Sequence, residues 1–125
     1  TGGLLASKIT SIAGASNVFE LAIVTYSNDS KILELDVYPN TLDKFGAVSQ
    51  ETAYEMARGL NNKSKANIVV SITGIAGPGG GTEDKPVGLV YFCIMVNGQG
   101  KIIKKIFTGD RLRIQEAAAN TALWE

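Results

Sequence analysis

Ile68-Val69-Val70-Ser71-Ile72-Thr73-Gly74-Ile75-Ala76-Gly77-Pro78-Gly79-Gly80-Gly81 is a β-branched run that empties into glycine. Its first half predicts a buried strand. Its second half holds five glycines and one proline. Glycine admits positive φ and lets a ligand approach the main chain, and Pro78 shapes the loop by fixing one φ. Consecutive N–H groups in such a loop can form a nest for an anion. Two readings stand side by side: the wall of a small-molecule site at a strand end, or a wide turn.

Outward from this stretch, helical and strand periods alternate. Leu4, Leu5, Ile9 and Ile12 recur at helical spacing and predict a first helix ending near Gly14. Phe19 to Tyr26 reads as a strand, and Ser27-Asn28-Asp29 caps a short helix with Ile32, Leu33 and Leu35 inward. Pro39 ends that helix, and Thr41 begins a helical turn that Gly46 closes. Ser49 opens a further helix with Ala53, Met56, Ala57 and Leu60 as its apolar stripe. Val87 to Asn97 and Lys101 to Phe107 flank Asn97-Gly98, a strong hairpin signal. Arg111 to Trp124 forms the last helix, with Ile114, Ala117, Ala118 and Leu123 expected inside. The fold class is therefore α/β: a mixed sheet with helices on both faces, a three-layer sandwich in one domain over residues 1–125. Thr1-Gly2-Gly3 before a helix is the sequel to a strand, so an N-terminal strand is expected ahead of Thr1.

Composition narrows the chemistry. Twelve basic residues balance twelve acidic ones, which leaves no electrostatic footprint for nucleic acid or a membrane surface. No apolar run reaches the roughly 20 residues of a membrane span, and no signal-peptide pattern opens the chain. The lone Cys93 fits a reducing compartment, and a cytoplasmic location is expected. Without histidine there is no Ser-His triad and no His-ligated metal, and one cysteine supplies no zinc site. No metal and no cofactor are expected; acid–base work falls to Lys, Tyr, Asp or Glu.

In open α/β sheets ligands bind beyond the carboxyl ends of strands. Thr25 to Lys31, Thr73 to Lys85 and Thr108 to Arg111 all begin there. Lys31, in the first turn of a helix, meets the positive end of the dipole, which lowers its pKa slightly in the direction a base requires, with burial needed to supply the rest; the other reading is a solvated surface lysine. Arg111 at another helix start suits a phosphate or carboxylate, or else pairs with Asp110 at the surface. The amides of Thr1, Gly2 and Gly3 suit an anion, or simply begin a helix.

Thr1-Gly2-Gly3, Val24 to Asn28 with Lys31, Gly46 to Ser49, Gly74 to Gly80, Lys85 to Gly88 and Gly109-Asp110-Arg111 together resemble the CinA C-terminal domain family, in order and over nearly the whole chain. Its enzymatic members are nicotinamide mononucleotide deamidases, which hydrolyse the carboxamide to nicotinic acid mononucleotide and ammonia in pyridine-nucleotide salvage. The resemblance implies a serine amidohydrolase whose serine is activated by a lysine. The family motif Ala-Glu-Ser-Cys-Thr-Gly-Gly puts that serine two places before Thr1. Lys31 matches the family lysine, Tyr26 its neighbouring tyrosine and Arg111 an arginine near the substrate. Thr1, Gly2, Gly3, Ser27, Asn28, Thr73, Gly74, Gly77, Pro78, Gly79 and Arg111 are expected to bind the nucleotide. The alternative is a non-catalytic nucleotide-binding or regulatory domain. The apolar hairpin at Phe92-Cys93-Ile94 and the alanine-rich last helix suit either self-association, as is common in the family, or the core of one subunit.

Overall fold

A computed structural model describes residues 1–125. Helix α1 spans Leu4–Thr10, and a 3-10 turn follows at Ala15–Asn17. Then come α2 (Asn28–Leu35), α3 (Pro39–Phe45), α4 (Gln50–Lys63), β1 (Ile68–Gly74), β2 (Leu89–Val96), β3 (Gln99–Ile106) and α5 (Arg111–Trp124).

The sheet has the order β1-β2-β3, antiparallel throughout. Val96 pairs with Gln99, so Asn97 and Gly98 alone make the turn, both with positive φ, 50° and 81°. Such a two-residue turn matches the twist of the strands it joins. Strand alternation sends β1 and β2 side chains to two covered faces. Val69, Cys93 and Met95 meet Ala53 and Ala57 of α4 on one face. Val90 and Phe92 meet Ile114, Ala118 and Ala122 of α5 on the other, with Leu5 of α1 beside them. These are the three layers expected of an α/β sandwich. A third cluster, Leu35, Val37, Leu42 and Met56, ties α2 and α3 to α4.

Several expectations are corrected. Phe19 to Tyr26 joins no ladder, so the sheet holds no parallel pairing and is not mixed. Helix α1 stops at Thr10, and Gly14 instead caps the 3-10 turn at φ 87°. Pro39 starts α3 as well as ending the preceding stretch, because its fixed φ suits a first helical position. Leu33 and Leu123 face outward at 75% and 52% exposure. The inward row of α5 is Ile114, Ala118 and Ala122, with Ala119 also buried and Ala117 only half-buried; small side chains let this helix lie close on the sheet.

Candidate functional site

The site begins with a helix cap. Ser27 accepts from the Ser30 N–H at 3.0 Å, and the Ser27 N–H donates to Ser30 Oγ at 3.1 Å. This reciprocal capping box fixes the start of α2. One turn on, Lys31 is buried at 6% exposure and its Nζ donates to the Thr25 carbonyl at 2.7 Å. No carboxylate accompanies it. Burial therefore holds its pKa below the ordinary lysine value. With Ser27 and Ser30 engaged in the cap, neither hydroxyl is bonded to the Lys31 amine.

Asp110 caps α5 by accepting from the Arg113 N–H at 2.9 Å, and Arg111 follows at the first helical position. The Asp110–Arg111 pairing does not form. Instead Arg111 donates from Nη1 to the Gly77 carbonyl and from Nη2 to Tyr26 Oη, each at 2.8 Å. One guanidinium thus joins the glycine loop to the segment before α2. Thr1 lines the same cleft as Arg111. Gly2 and Gly3 are left-handed at φ 60° and 94°, and their N–H groups donate to no main-chain carbonyl.

These groups line one cleft of about 620 Å³, bounded by α1, residues 18–26, β1 and the start of α5. Thr1, Gly2, Gly3, Tyr26, Asn28, Lys31, Thr73, Gly74 and Arg111 all face it. Thr73 serves as wall: its hydroxyl donates to the Ala47 carbonyl at 2.6 Å. Gly74 permits the wall to lie close, since a Cβ there would meet the Leu89 carbonyl oxygen at 2.8 Å. Gly77 reaches the site only through Arg111; Ser27, Pro78 and Gly79 lie outside the lining, the last two exposed. Lys85 does not enter either, its amine donating to the Phe45 carbonyl.

Charge is distributed unevenly along the cleft. Lys31 and Arg111 stand towards the Tyr26 end. The single acid on the lining, Glu20, accepts at the opposite end from the Lys65 N–H at 3.1 Å. A cationic pocket with free amide donors suits an anionic ligand. No group of three or more His, Cys, Asp or Glu is assembled anywhere in the fold.

Sequence reasoning missed two contributors. Thr25 supplies the carbonyl that receives Lys31, and its own buried hydroxyl has no partner. Gln115 lines the cleft one helical turn after Arg111. The i, i+4 spacing from Arg111 was the available signal for Gln115.

Comparison with known proteins gives a consistent result. The profile of the CinA C-terminal domain matches residues 1–125. A CinA-like protein of Kosmotoga olearia is 54% identical over 123 residues, which are 98% of this chain and 30% of that protein. A CinA-like protein of Petrotoga mobilis is 50% identical, over 99% of this chain and 31% of its own length. The chain thus spans about 30% of the curated relatives it matches. Among solved structures, the competence/damage inducible protein CihA of Agrobacterium tumefaciens superposes with a TM-score of 0.96 at 46% identity, covering 98% of this chain and 76% of that one. The competence damage-inducible protein A (ComA) of Klebsiella pneumoniae superposes at 0.95 and 32% identity, with 98% and 76% coverage.

Proposed function

The chain belongs to the CinA C-terminal domain family, and on that premise we propose that its cleft is the site of a nicotinamide mononucleotide amidase. The single observation that carries this reading is Lys31: an amine buried at 6% exposure without a carboxylate partner, held below the ordinary lysine pKa, on the wall of a cationic cleft. An amine so placed is available as a base nearer neutral pH than a solvated lysine.

The reaction runs in two halves. The neutral Lys31 amine takes the proton of the family serine, two places before Thr1, and the serine oxygen attacks the carboxamide carbon. N–H groups of the Thr1-Gly2-Gly3 turn hold the oxyanion. Collapse breaks the C–N bond, and the Lys31 ammonium returns the proton to the departing ammonia. Water then attacks the acyl ester with the same amine as base, releasing nicotinic acid mononucleotide and the serine. Tyr26, hydrogen-bonded to Arg111, assists by orienting groups at the cleft mouth. Arg111 attracts the nucleotide phosphate, and the glycine loop shapes its seat.

The test is ammonia release by the full-length protein supplied with nicotinamide mononucleotide. Stoichiometric ammonia and nicotinic acid mononucleotide are expected. Tight binding of the nucleotide without either product would instead establish the non-catalytic binding domain.

A further inference from the structure

Gly46-Ala47-Val48-Ser49 and Lys85-Pro86-Val87-Gly88 are distant in sequence, and the fold ties them together. Three consecutive carbonyls each receive a side-chain donor from a different element. The Lys85 amine of the glycine loop donates to Phe45, and Thr52 Oγ1 of α4 donates to Gly46 at 2.7 Å. Thr73 Oγ1 of β1 donates to Ala47 at 2.6 Å. Phe45 ends α3, so the Lys85 ammonium also meets the negative end of that helix dipole. No carboxylate pairs with it. The next two residues of this clamped segment, Ala47 and Val48, line the cleft. Lys85 is the clamp that comes from the glycine loop.

The loop itself is tied at three levels. At its neck the Ile75 N–H donates to the Leu89 carbonyl at 2.9 Å, and the Gly88 N–H to the Ile75 carbonyl at 2.8 Å. Beyond the neck each limb has one outward tie: Arg111 to the Gly77 carbonyl on the first, Lys85 to Phe45 on the second. The main chain of Lys85 is held in turn, since its N–H donates to Thr82 Oγ1 at 3.0 Å and its carbonyl accepts from the Thr82 N–H at 2.8 Å. The limbs press on each other through Val87. A Cβ on Gly77 would stand 2.6 Å from Val87 Cγ1, and one on Gly81 would stand 2.8 Å from the Val87 nitrogen. Close-packed atoms transmit displacement, so a shift of the Lys85 limb reaches Gly77. The Gly77 carbonyl is one of the two anchors of Arg111, Tyr26 being the other.

We propose that Lys85 is a positioning residue for the nucleotide: by pinning the second limb of the glycine loop to the carbonyl of Phe45 it sets, through Val87 and Gly77, the aim of the Arg111 guanidinium. Only part of that guanidinium is spent on Gly77 and Tyr26, which leaves donors for an anion. The Lys85 amine lies outside the cleft lining and acts on the ligand solely through this chain of contacts. The inference rests on the proposed nucleotide site for its ligand, and the relay from Lys85 to Arg111 is a property of the fold that can be read without turnover.

Lys85→Met in the full-length protein keeps the apolar stem and removes the donor. KM for nicotinamide mononucleotide is expected to rise about threefold to tenfold, the range of one net hydrogen bond, with kcat held within about twofold. In an Arg111→Met background the same substitution should change KM by less than about twofold, because the group it aims is gone. Lys44→Met serves as control: this exposed lysine lies beside Phe45, its amine 5.1 Å from the ring centre, and its loss should leave KM unchanged. The readout free of turnover is the Arg111 Nε–Hε signal in 15N spectra, identified by its loss in Arg111→Met. It should shift in Lys85→Met and stay in place in Lys44→Met. An Arg111 signal unmoved by Lys85→Met overturns the proposal, as does a full KM effect of Lys85→Met in the Arg111→Met background. A wild-type protein that releases no ammonia ends the amidase reading instead, and the Arg111 signal then decides this inference alone.

Discussion

Gly59 offers a sharp test of how α2 is seated, because helix propensity and packing predict opposite signs there. It lies buried in the middle of α4, where alanine would ordinarily stabilise by about 1 kcal/mol. A Cβ at this position would stand 1.8 Å from the Leu35 carbonyl oxygen and 2.6 Å from its carbon. Those atoms are main chain, so no rotamer relieves the overlap. An ordinary C···O contact of about 3.3 Å requires the end of α2 to retreat by roughly 1.5 Å. Leu35 and Val37, at 3% and 1% exposure, must move with it. Overpacking of a closed core costs about 3 kcal/mol at the upper end of the usual range. Offsetting the propensity gain leaves Gly59→Ala about 2 kcal/mol less stable, a fall in Tm of about 8 °C for a chain of this size. Lys31 lies one turn before Leu35 on the same helix, and a displacement of about 1 Å can cost about 100-fold in turnover. Thermal unfolding followed by circular dichroism reads the stability directly. An unchanged or raised Tm would refute the close α2–α4 contact.

Other consequences are equally measurable. Because burial holds Lys31 below 10.5, the unfolded chain binds more protons than the native one between the native pKa and 10.5. Stability relative to Lys31→Met should therefore rise with pH in that window, by at most about 1.4 kcal/mol per pH unit, and the gain should be lost as pH falls through the native pKa; parallel denaturant titrations would read it. Arg111→Met removes the bridge from Tyr26 to Gly77 and should raise KM for the nucleotide about tenfold or more with only a small change in Tm, as steady-state kinetics and thermal melts together would reveal. Cys93, fully buried with its thiol pushed up to about 11, should resist Ellman's reagent in the folded protein at pH 8 and react only on unfolding.

Local signals carried much of this architecture. Asn97-Gly98 dictated its turn because the two positive φ values it supplies are those the hairpin needs. Ser27, Ser49 and Asp110 marked three helix starts, each through a side-chain oxygen accepting a main-chain N–H. Lys31, Tyr26, Arg111 and the Thr1-Gly2-Gly3 turn were each visible as residues, and the fold gathers them in one cleft. Non-local facts were not legible. No periodicity says that Arg111 reaches across 85 positions of sequence to Tyr26. The β-branched composition of residues 19–26 forecast a strand, but a strand needs a partner, and pairing is a property of two segments. The inward face of α5 was misjudged at Leu123 because alanine, by permitting close approach, outweighed leucine's larger apolar area.

The proposed amidase reading rests on the amine of Lys31 acting as a base in the cleft. The most direct measurement is kcat for ammonia release from nicotinamide mononucleotide by the full-length protein and its Lys31→Met variant, across pH 5 to 10. Wild-type kcat should rise along an ionisation limb below the ordinary lysine pKa, and the variant should lose about 1,000-fold or more while binding the nucleotide with comparable Kd. A Lys31→Met protein that retains wild-type turnover and the same pH limb would contradict the account.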